Sequence, residues 1–497
     1  MRSLWFDTHP VTTPTETLTS GTHYDTVVAG AGLTGLMAGV LLARAGHRVA
    51  VLEARTIGAA ATGNTTAKVS LLQGTNFASI RSHQSDEVLQ AYAEANREGQ
   101  AWLLRWMDDH GLQYQRRTAY TYANTDEGLP HLARELEAAR AAGIGAYWVQ
   151  DTELPHEVAG AIALDDQAQI HPTEVLDALA GELRTRGGTI IENTRVIDAD
   201  SAQPTTIDTT AGQISADHLI LATGAPILDR GGYFAKMKGQ RSYSLAYRMP
   251  EGTEIPQGMY LAVDSPSLST RTATIDGEEL LLVGGNGHVV GRAESHQAAV
   301  DQIDEWTFAH FPGAERTHAW SAQDYRPADY VPFFGKLPLG GESTYVATGY
   351  NKWGMTNGVA AALAISSQIL EGQTHWAEAI TQRSATASGI ATGVKDNLEI
   401  GVQMTKDWAG AELRSLPAQA PADGHGIVGR ENGAPVAVST VDGTTRKVSA
   451  VCPHLGGILS WNDAECTWDC PLHASRFDAE GNILEGPALR GLTTLDT

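Results

Sequence analysis

The sequence predicts an α/β protein. It has a parallel-sheet nucleotide-binding domain, an antiparallel-sheet domain set into it, and a small all-β domain at the C-terminal end. Three observations carry this. A strand, a glycine turn, a helix and a second strand follow one another between Tyr24 and Glu53. The stretch from Ser242 to Val283 alternates apolar and polar residues between turns. Short alternating strands from Ala411 to Val451 precede two loops that carry cysteine and histidine.

The first 21 residues read as a polar lead-in without the basic and apolar regions of a signal peptide. Tyr24 to Ala29 (YDTVVA) predicts a buried strand. Gly30-x-Gly32-x-x-Gly35 follows, Leu33 to Ala45 has helical apolar spacing, and His47 to Leu52 makes a second strand ending at Glu53. In this context the glycine pattern is a Rossmann-like dinucleotide fingerprint. Gly30 permits the tight turn, Gly32 lets backbone approach a pyrophosphate, and Gly35 lets helix and strand pack closely. Leu33 and Thr34 begin the helix whose N-terminus faces the phosphates. Glu53 is placed to accept hydrogen bonds from an adenosine ribose, and a carboxylate there disfavours NADP.

The residues after Glu53 favour FAD over NAD. Ala54-Arg55 and the small, hydroxyl-rich GAAATGNTTAKVS (Gly58 to Ser70) suit a flavin diphosphate and ring edge, with Thr62, Thr65, Thr66 and Lys68 as candidate contacts. Arg195-Val196 lies in a strand after the helix Pro172 to Gly188. Leu219 to Pro226 is a buried strand ending in the Thr223-Gly224 turn. Tyr345 to Met355 is a strand ending in a glycine turn at Gly349, and the helix Thr356 to Leu370 follows. With Trp353, Gly354, Met355 and Thr356 at its start, that helix aims its positive end at a flavin ring. Gly284-Gly285-Asn-Gly287 has the wrong spacing for a second nucleotide site and reads as a turn leaving an antiparallel sheet.

The flavin domain is therefore expected to be discontinuous, with pieces 22–75, 160–235 and 318–375 and substrate-domain pieces 76–159 and 236–317. Asp86 to Gly111 and Glu127 to Ala142 read as amphipathic helices. Residues 376–410 read as a linker (SATASGIATG) and a bridging helix from Lys395 to Trp408. Residues 411–497 form the last domain.

That domain carries Cys452-Pro-His454 and Cys470-Pro-Leu-His473. Two thiolates on one iron and two imidazoles on the other make the ligand set of a Rieske [2Fe-2S] centre. Two cysteines and two histidines also suit structural zinc, but zinc sites usually use unmixed Cys-Cys and His-His pairs. Cys466 is not at a ligand position and reads as a small apolar filler.

Composition narrows the rest. A net charge of −23 and a pI near 5.1 argue against nucleic acid and anionic membrane surfaces. Three cysteines, two of them ligands, leave no disulfide framework and suit a reducing cytoplasm. No apolar run approaches the length of a membrane span.

The three nucleotide-domain segments together resemble the D-amino-acid oxidase-like (DAO, glycine oxidase type) FAD-dependent oxidoreductases over roughly Thr22 to Gly372. The residues from Ala411 to Thr497 resemble the Rieske domain family. SLWFDT, TGNTTAKVS, KGQRSYSLA, WSAQDYRPADYVPFFG and ATGYNKWGMTNG are similar to a subgroup that fuses the two. The resemblance implies noncovalent FAD, because Asn64 stands where a covalent histidine link would be required and no cysteine precedes Cys452. It implies that Ser475 bonds a cluster sulfur, that Gly457 and Leu472 replace a cysteine pair seen in respiratory members, and that Phe477 replaces a tyrosine. The cluster potential is then expected in the lower part of the roughly −150 to +300 mV Rieske range.

The expected chemistry is oxidation of an amine or amino-acid-like C–N substrate at the flavin. Single electrons then pass through the cluster to an external acceptor or donor protein. Lys352, Arg271, Arg241 and Tyr243 are the candidate catalytic or orienting residues, with Lys68 and Trp353 behind them. Arg271 is the first choice for a substrate carboxylate. The alternative is an electron-transfer or reductase component that feeds a partner protein or reduces a substrate. A Rieske oxygenase would need a second iron site of two histidines and a carboxylate, and no segment offers one.

Overall fold

The computed structural model describes residues 1–12 and 15–496. Thr13 and Pro14 of the lead-in and Thr497 lie outside the described residues.

The nucleotide-binding sheet is parallel at its centre. Thr344–Thr348, Gly212–Gly224, His23–Ala29, Val49–Leu52 and Thr189–Ile191 run side by side, and Phe333–Lys336 closes one edge antiparallel. Buried on both faces, Val49–Leu52 and Thr344–Thr348 need no alternation and show none. The helices Leu33–Arg44 and Gly354–Ile369 pack against each other in the main core.

The second sheet has nine strands and is mostly antiparallel. One end is the long trio Glu315–Pro327, Met237–Arg248 and Glu278–Val289, and toward the other end lie Tyr114–Ala123 and Gly160–Ile170. The helices Asp86–Asp109 and Leu129–Ala141 lie where the sequence predicts them, within a few residues.

Five expectations on boundaries and turns change. Gly160–Ile170 and Glu315–Pro327 pair in the second sheet, although the expected pieces beginning at 160 and 318 put them in the nucleotide domain. Lys68–Val69 also pairs there. The reason is long-range: each finds an antiparallel partner that no local pattern reveals. SATASGIATG is no linker. Ala387–Leu413 is one helix of 27 residues, begun by the Thr386 hydroxyl, which accepts from the Gly389 N–H. Gly389 and Gly393, one turn apart, bring the helix close to Asp329 and Ala328. Gly284 to Val289 stays within its strand, which bulges past Arg241 with Asn286 at positive φ, so it is not a turn leaving the sheet.

The polar lead-in is pinned to the fold. Leu4 and Trp5 are buried, the Ser3 hydroxyl donates to Gly63 O at 2.7 Å, and the Trp5 indole donates to Thr65 O at 2.7 Å. These bonds brace the loop that carries Thr62 to Thr66.

The last domain holds two four-stranded sheets. Strands Gly426–Glu431, Ala434–Val441 and Thr444–Ser449 form consecutive hairpins, with Asn432 and Asp442 at positive φ in the turns. The second sheet, from Ser460 to Glu485, carries the second cysteine–histidine loop between Thr467–Asp469 and Arg476–Phe477.

Candidate active site and cluster loops

A cavity of about 330 Å³ lies between the two large sheets. Its walls come from three sources.

The first wall is the nucleotide turn. Gly30, Gly32, Leu33 and Thr34 line it. Gly30 has φ +107°, and a Cβ there would sit 2.4 Å from Ala222 O. Gly32 caps the helix without a side chain, the Leu33 N–H donates to the Thr62 hydroxyl at 3.2 Å, and the helix start lies on the cavity wall. Glu53, Ala54 and Arg55 continue along this wall, then Thr62, Thr65 and Thr66, with Val196, Thr223 and Gly224 opposite. The Glu53 carboxylate accepts from the N–H groups of Ala31 and Arg55, both at 2.9 Å, and burial raises its pKa.

The second wall lies at the start of the helix Gly354–Ile369. Gly354 and Met355 line it, again at a helix end without a side-chain cap. Asn351 and Lys352 both have positive φ, and this turn brings Lys352 into the cavity. The Lys352 N–H donates to the Asp324 carboxylate. Burial lowers the Lys352 pKa and lifts Asp324 to about 6, while the N–H groups of Lys352 and Tyr325 restrain Asp324. Tyr243 lines the same end beside Ser242 and Ser244. Its hydroxyl lies 3.4 Å from His288 Nε2, and burial raises its pKa.

The third wall has no forewarning in the sequence. Leu484, Glu485 and Gly486, from the C-terminal domain, line the cavity. Gln323, Asp324 and Tyr325 are further cavity residues that sequence reasoning misses, although they sit in the segment WSAQDYRPADYVPFFG.

Several predicted residues lie outside the lining. Gly35 serves packing, since a Cβ there would meet Gly30 O at 1.9 Å. Gly349 approaches Pro327. Thr356 donates to Asn96 at 2.6 Å, and Trp353 caps its helix. The Lys68 amine donates to Tyr260 O at 3.1 Å, and burial lowers its pKa to about 7. Arg271 does not reach the cavity. Its guanidinium donates to the carbonyls of Thr66, Ala67 and Thr272 and lies over the Trp5 ring at 5.3 Å. Its donors hold the threonine loop, so the geometry moves it out of the substrate-carboxylate role. Arg241 is likewise engaged elsewhere, with Glu465, Glu485, Ser321 and Gln323.

The cluster loops converge. Cys452 and Cys470 are buried. The neighbouring Cys470 and Ser475 side chains lower the Cys452 pKa, while Cys452 and burial push Cys470 up. The rings of His454 and His473 lie 5.1 Å apart and nearly perpendicular. Both Nδ1 atoms are buried without a hydrogen-bond partner. Buried polar atoms are rarely left so. Two sulfurs and two orphaned nitrogens on facing loops form a donor set that fits a [2Fe-2S] cluster. His454 Nε2 lies 3.3 Å from Asp229 of the nucleotide domain, which fixes the ring with Nδ1 inward.

The two domains are closely docked. Arg292 donates to Pro471 O at 3.0 Å. Asp463 accepts from Ser295 and from the N–H groups of His296 and Gln297 at the start of the helix His296–His310.

Residues 25–368 match the model of the FAD dependent oxidoreductase family, designated DAO, and residues 418–496 match the Rieske [2Fe-2S] domain. The chain belongs to the FAD dependent oxidoreductase family. It carries a C-terminal Rieske domain, and its cofactors are FAD and a [2Fe-2S] cluster. Over 490 residues it is 30% identical to the Rieske 2Fe-2S iron-sulfur protein YhfW of Bacillus subtilis (strain 168), covering 96% of this chain and 94% of that one. It is 24% identical over 385 residues to glycine oxidase of Geobacillus kaustophilus (strain HTA426), covering 71% of this chain and 94% of that one. The crystal structure of glycine oxidase from that organism superposes with a TM-score of 0.60 at 20% identity, covering 71% of this chain and 96% of that one. That likeness shows the fold. Among the described residues no helix is long and apolar enough to cross a membrane.

Proposed function

We propose that this oxidoreductase oxidises a small amine or amino-acid-like substrate in the cavity, then passes the electrons singly through the Rieske cluster to an external one-electron acceptor. The observation that carries this reading is the third wall: the cluster domain supplies Leu484, Glu485 and Gly486 to the cavity itself. When bound, FAD takes two electrons from a C–H bond next to nitrogen, and the cluster takes one at a time.

In this reading FAD is noncovalent and lies along the first wall. Its phosphates face the helix start at Gly32, and its ribose meets Glu53. Lys352 is the only cation among the lining residues at the Gly354 end, the others being Arg55 and Arg195 at the nucleotide end. Lys352 therefore takes an acidic group of the substrate, and Asp324 fixes the backbone that presents it. Tyr243 and the serines orient the polar atoms. The thiolates of Cys452 and Cys470 hold one iron, and Nδ1 of His454 and His473 hold the other. The Geobacillus relative is named for glycine oxidation, which supports an amino-acid-like substrate.

An anaerobic screen of amines and amino acids tests this, with flavin absorbance and the cluster signal monitored together. A substrate that bleaches both supports the reading. Bleaching by NADH, with every amine inert, would replace it with the reductase alternative.

A further inference from the structure

We propose that Gln323 is the positioning residue that couples the flavin cavity to the cluster loop. Its buried amide joins the cavity wall to the Ala474 carbonyl, one residue past the ligand-loop His473. The inference rests on the proposed electron passage from flavin to cluster and names the contact that serves it.

Gln323 lines the cavity and is 4% exposed. Its Oε1 accepts from Arg241 at 2.9 Å. Its amide nitrogen donates to the Tyr325 hydroxyl at 2.9 Å and to Ala474 O at 2.8 Å. These partners permit one orientation. A guanidinium only donates and a carbonyl only accepts, so a flipped amide would oppose like groups on both sides. Ala474 has φ +64°, a left-handed conformation in a non-glycine residue, within the turn that presents its carbonyl to Gln323.

The backbone on the cavity side is equally tight. A Cβ on Gly239 would lie 2.3 Å from the Ala474 Cβ, so only glycine lets this strand approach the loop so closely. Gln240, the next residue, lines the cavity. A second contact runs beside the first. Gly486 lines the cavity at φ +97°, and its Cβ would fall 2.5 Å from Ser475 Cα. Electron tunnelling falls off exponentially with the gap between donor and acceptor. A fixed hydrogen bond shortens the effective gap, and the Gln323 amide bridges from cavity to ligand loop in a single side chain.

Each passage moves one electron from reduced flavin to oxidised cluster. No heavy-atom bond forms or breaks, and the flavin's proton goes to solvent. The second electron passes once an external one-electron oxidant, ferricyanide in the test, has emptied the cluster.

The test uses full-length holoprotein. The flavin is photoreduced by a light pulse with EDTA as the sacrificial electron donor, and cluster reduction is monitored optically and by EPR. Gln323→Met keeps the length and removes the bridge. Gln323→Glu keeps the Arg241 partner and removes the donor to Ala474. Both are expected to slow flavin-to-cluster transfer at least tenfold, with iron content and EPR spectrum unchanged, and with both midpoint potentials unchanged in the neutral Met variant. A merely structural role would move those last properties instead. Transfer in the wild type at a rate that both variants match would overturn the inference alone. No transfer in the wild type would overturn the electron-passage reading and this inference with it.

Discussion

Arg241 and Glu485 face each other across the junction of the two domains, with Nη2 and Oε2 3.3 Å apart and the side chains 1% and 13% exposed. Arg241 also reaches Glu465 at 3.0 Å. On the cluster side Arg476 pairs with Glu465, Asp469 and Glu485. Two guanidinium groups thus serve three carboxylates, and Arg55, on the cavity wall, lies 3.8 Å from Glu485. The network ties the nucleotide turn, the second sheet and the cluster domain into one unit.

Removing one partner from such a network strands the others. Arg241→Met leaves Glu465 and Glu485 short of a buried counter-charge, and the expected loss of stability is about 3–5 kcal/mol. Chemical denaturation monitored by both flavin and cluster absorbance checks it. The cluster domain should separate first in the variant. A loss below about 1 kcal/mol would mean that water screens the junction.

Gly30→Val should give protein with iron but without flavin. The side chain would have to pass Ala222 O, and positive φ is costly for a β-branched residue. Gel filtration with absorbance and iron assay reads this out. In the wild type, acid precipitation should release all yellow colour to the supernatant, and colour held in the pellet would contradict noncovalent FAD.

Lys68 links burial to pH. Its pKa is about 7 in the folded chain against an ordinary 10.5. The folded state therefore holds the neutral amine, and stability is lost as pH falls from about 10.5 to about 7. Lys68→Met lacks that loss. Its stability advantage over the wild type should grow across this window to roughly 5 kcal/mol and stay flat below it. Thermal unfolding at several pH values decides it, and a constant difference would place the ammonium in water.

Ser475 lowers the Cys452 pKa, and its hydroxyl accepts from the Ala488 N–H at 3.1 Å. Ser475→Ala should lower the cluster potential, because a hydrogen bond to sulfur stabilises the more negative reduced state. A charge-assisted bond of about 1.5–3 kcal/mol corresponds to roughly 60–130 mV for one electron. Spectroelectrochemical titration measures the shift, and an unchanged potential would remove Ser475 from the cluster's environment.

Much of this architecture is legible because its signals are local. The turn Gly30 to Gly35 places Gly32 within three residues of the helix it starts, and each cluster loop carries its own cysteine and histidine. The features that the sequence conceals are long-range. Arg271 sits on an alternating strand like a substrate arginine, yet Trp5 and the carbonyls of Thr66 and Ala67 claim it from 266 and about 205 residues away. Glu485 lies outside the motifs quoted above, and Gln323 sits in WSAQDYRPADYVPFFG without anything in that segment marking its role. Their importance comes from the docking of one domain on another, and glutamine and glutamate read as surface residues until that docking is known. The helix Ala387–Leu413 is obscured for a different reason: its first turns are rich in glycine and threonine, weak helix formers that the Thr386 cap and packing on Asp329 override.

The central claim is that a flavin and a one-electron iron–sulfur centre share electrons within this single docked chain. The most direct test is metal analysis of purified, iron-replete protein, with EPR after anaerobic addition of one reducing equivalent. The account predicts two irons per chain and an anisotropic signal from the reduced cluster as the flavin reoxidises. Zinc in place of iron, or iron without such a signal while the flavin alone holds the electron, would contradict it.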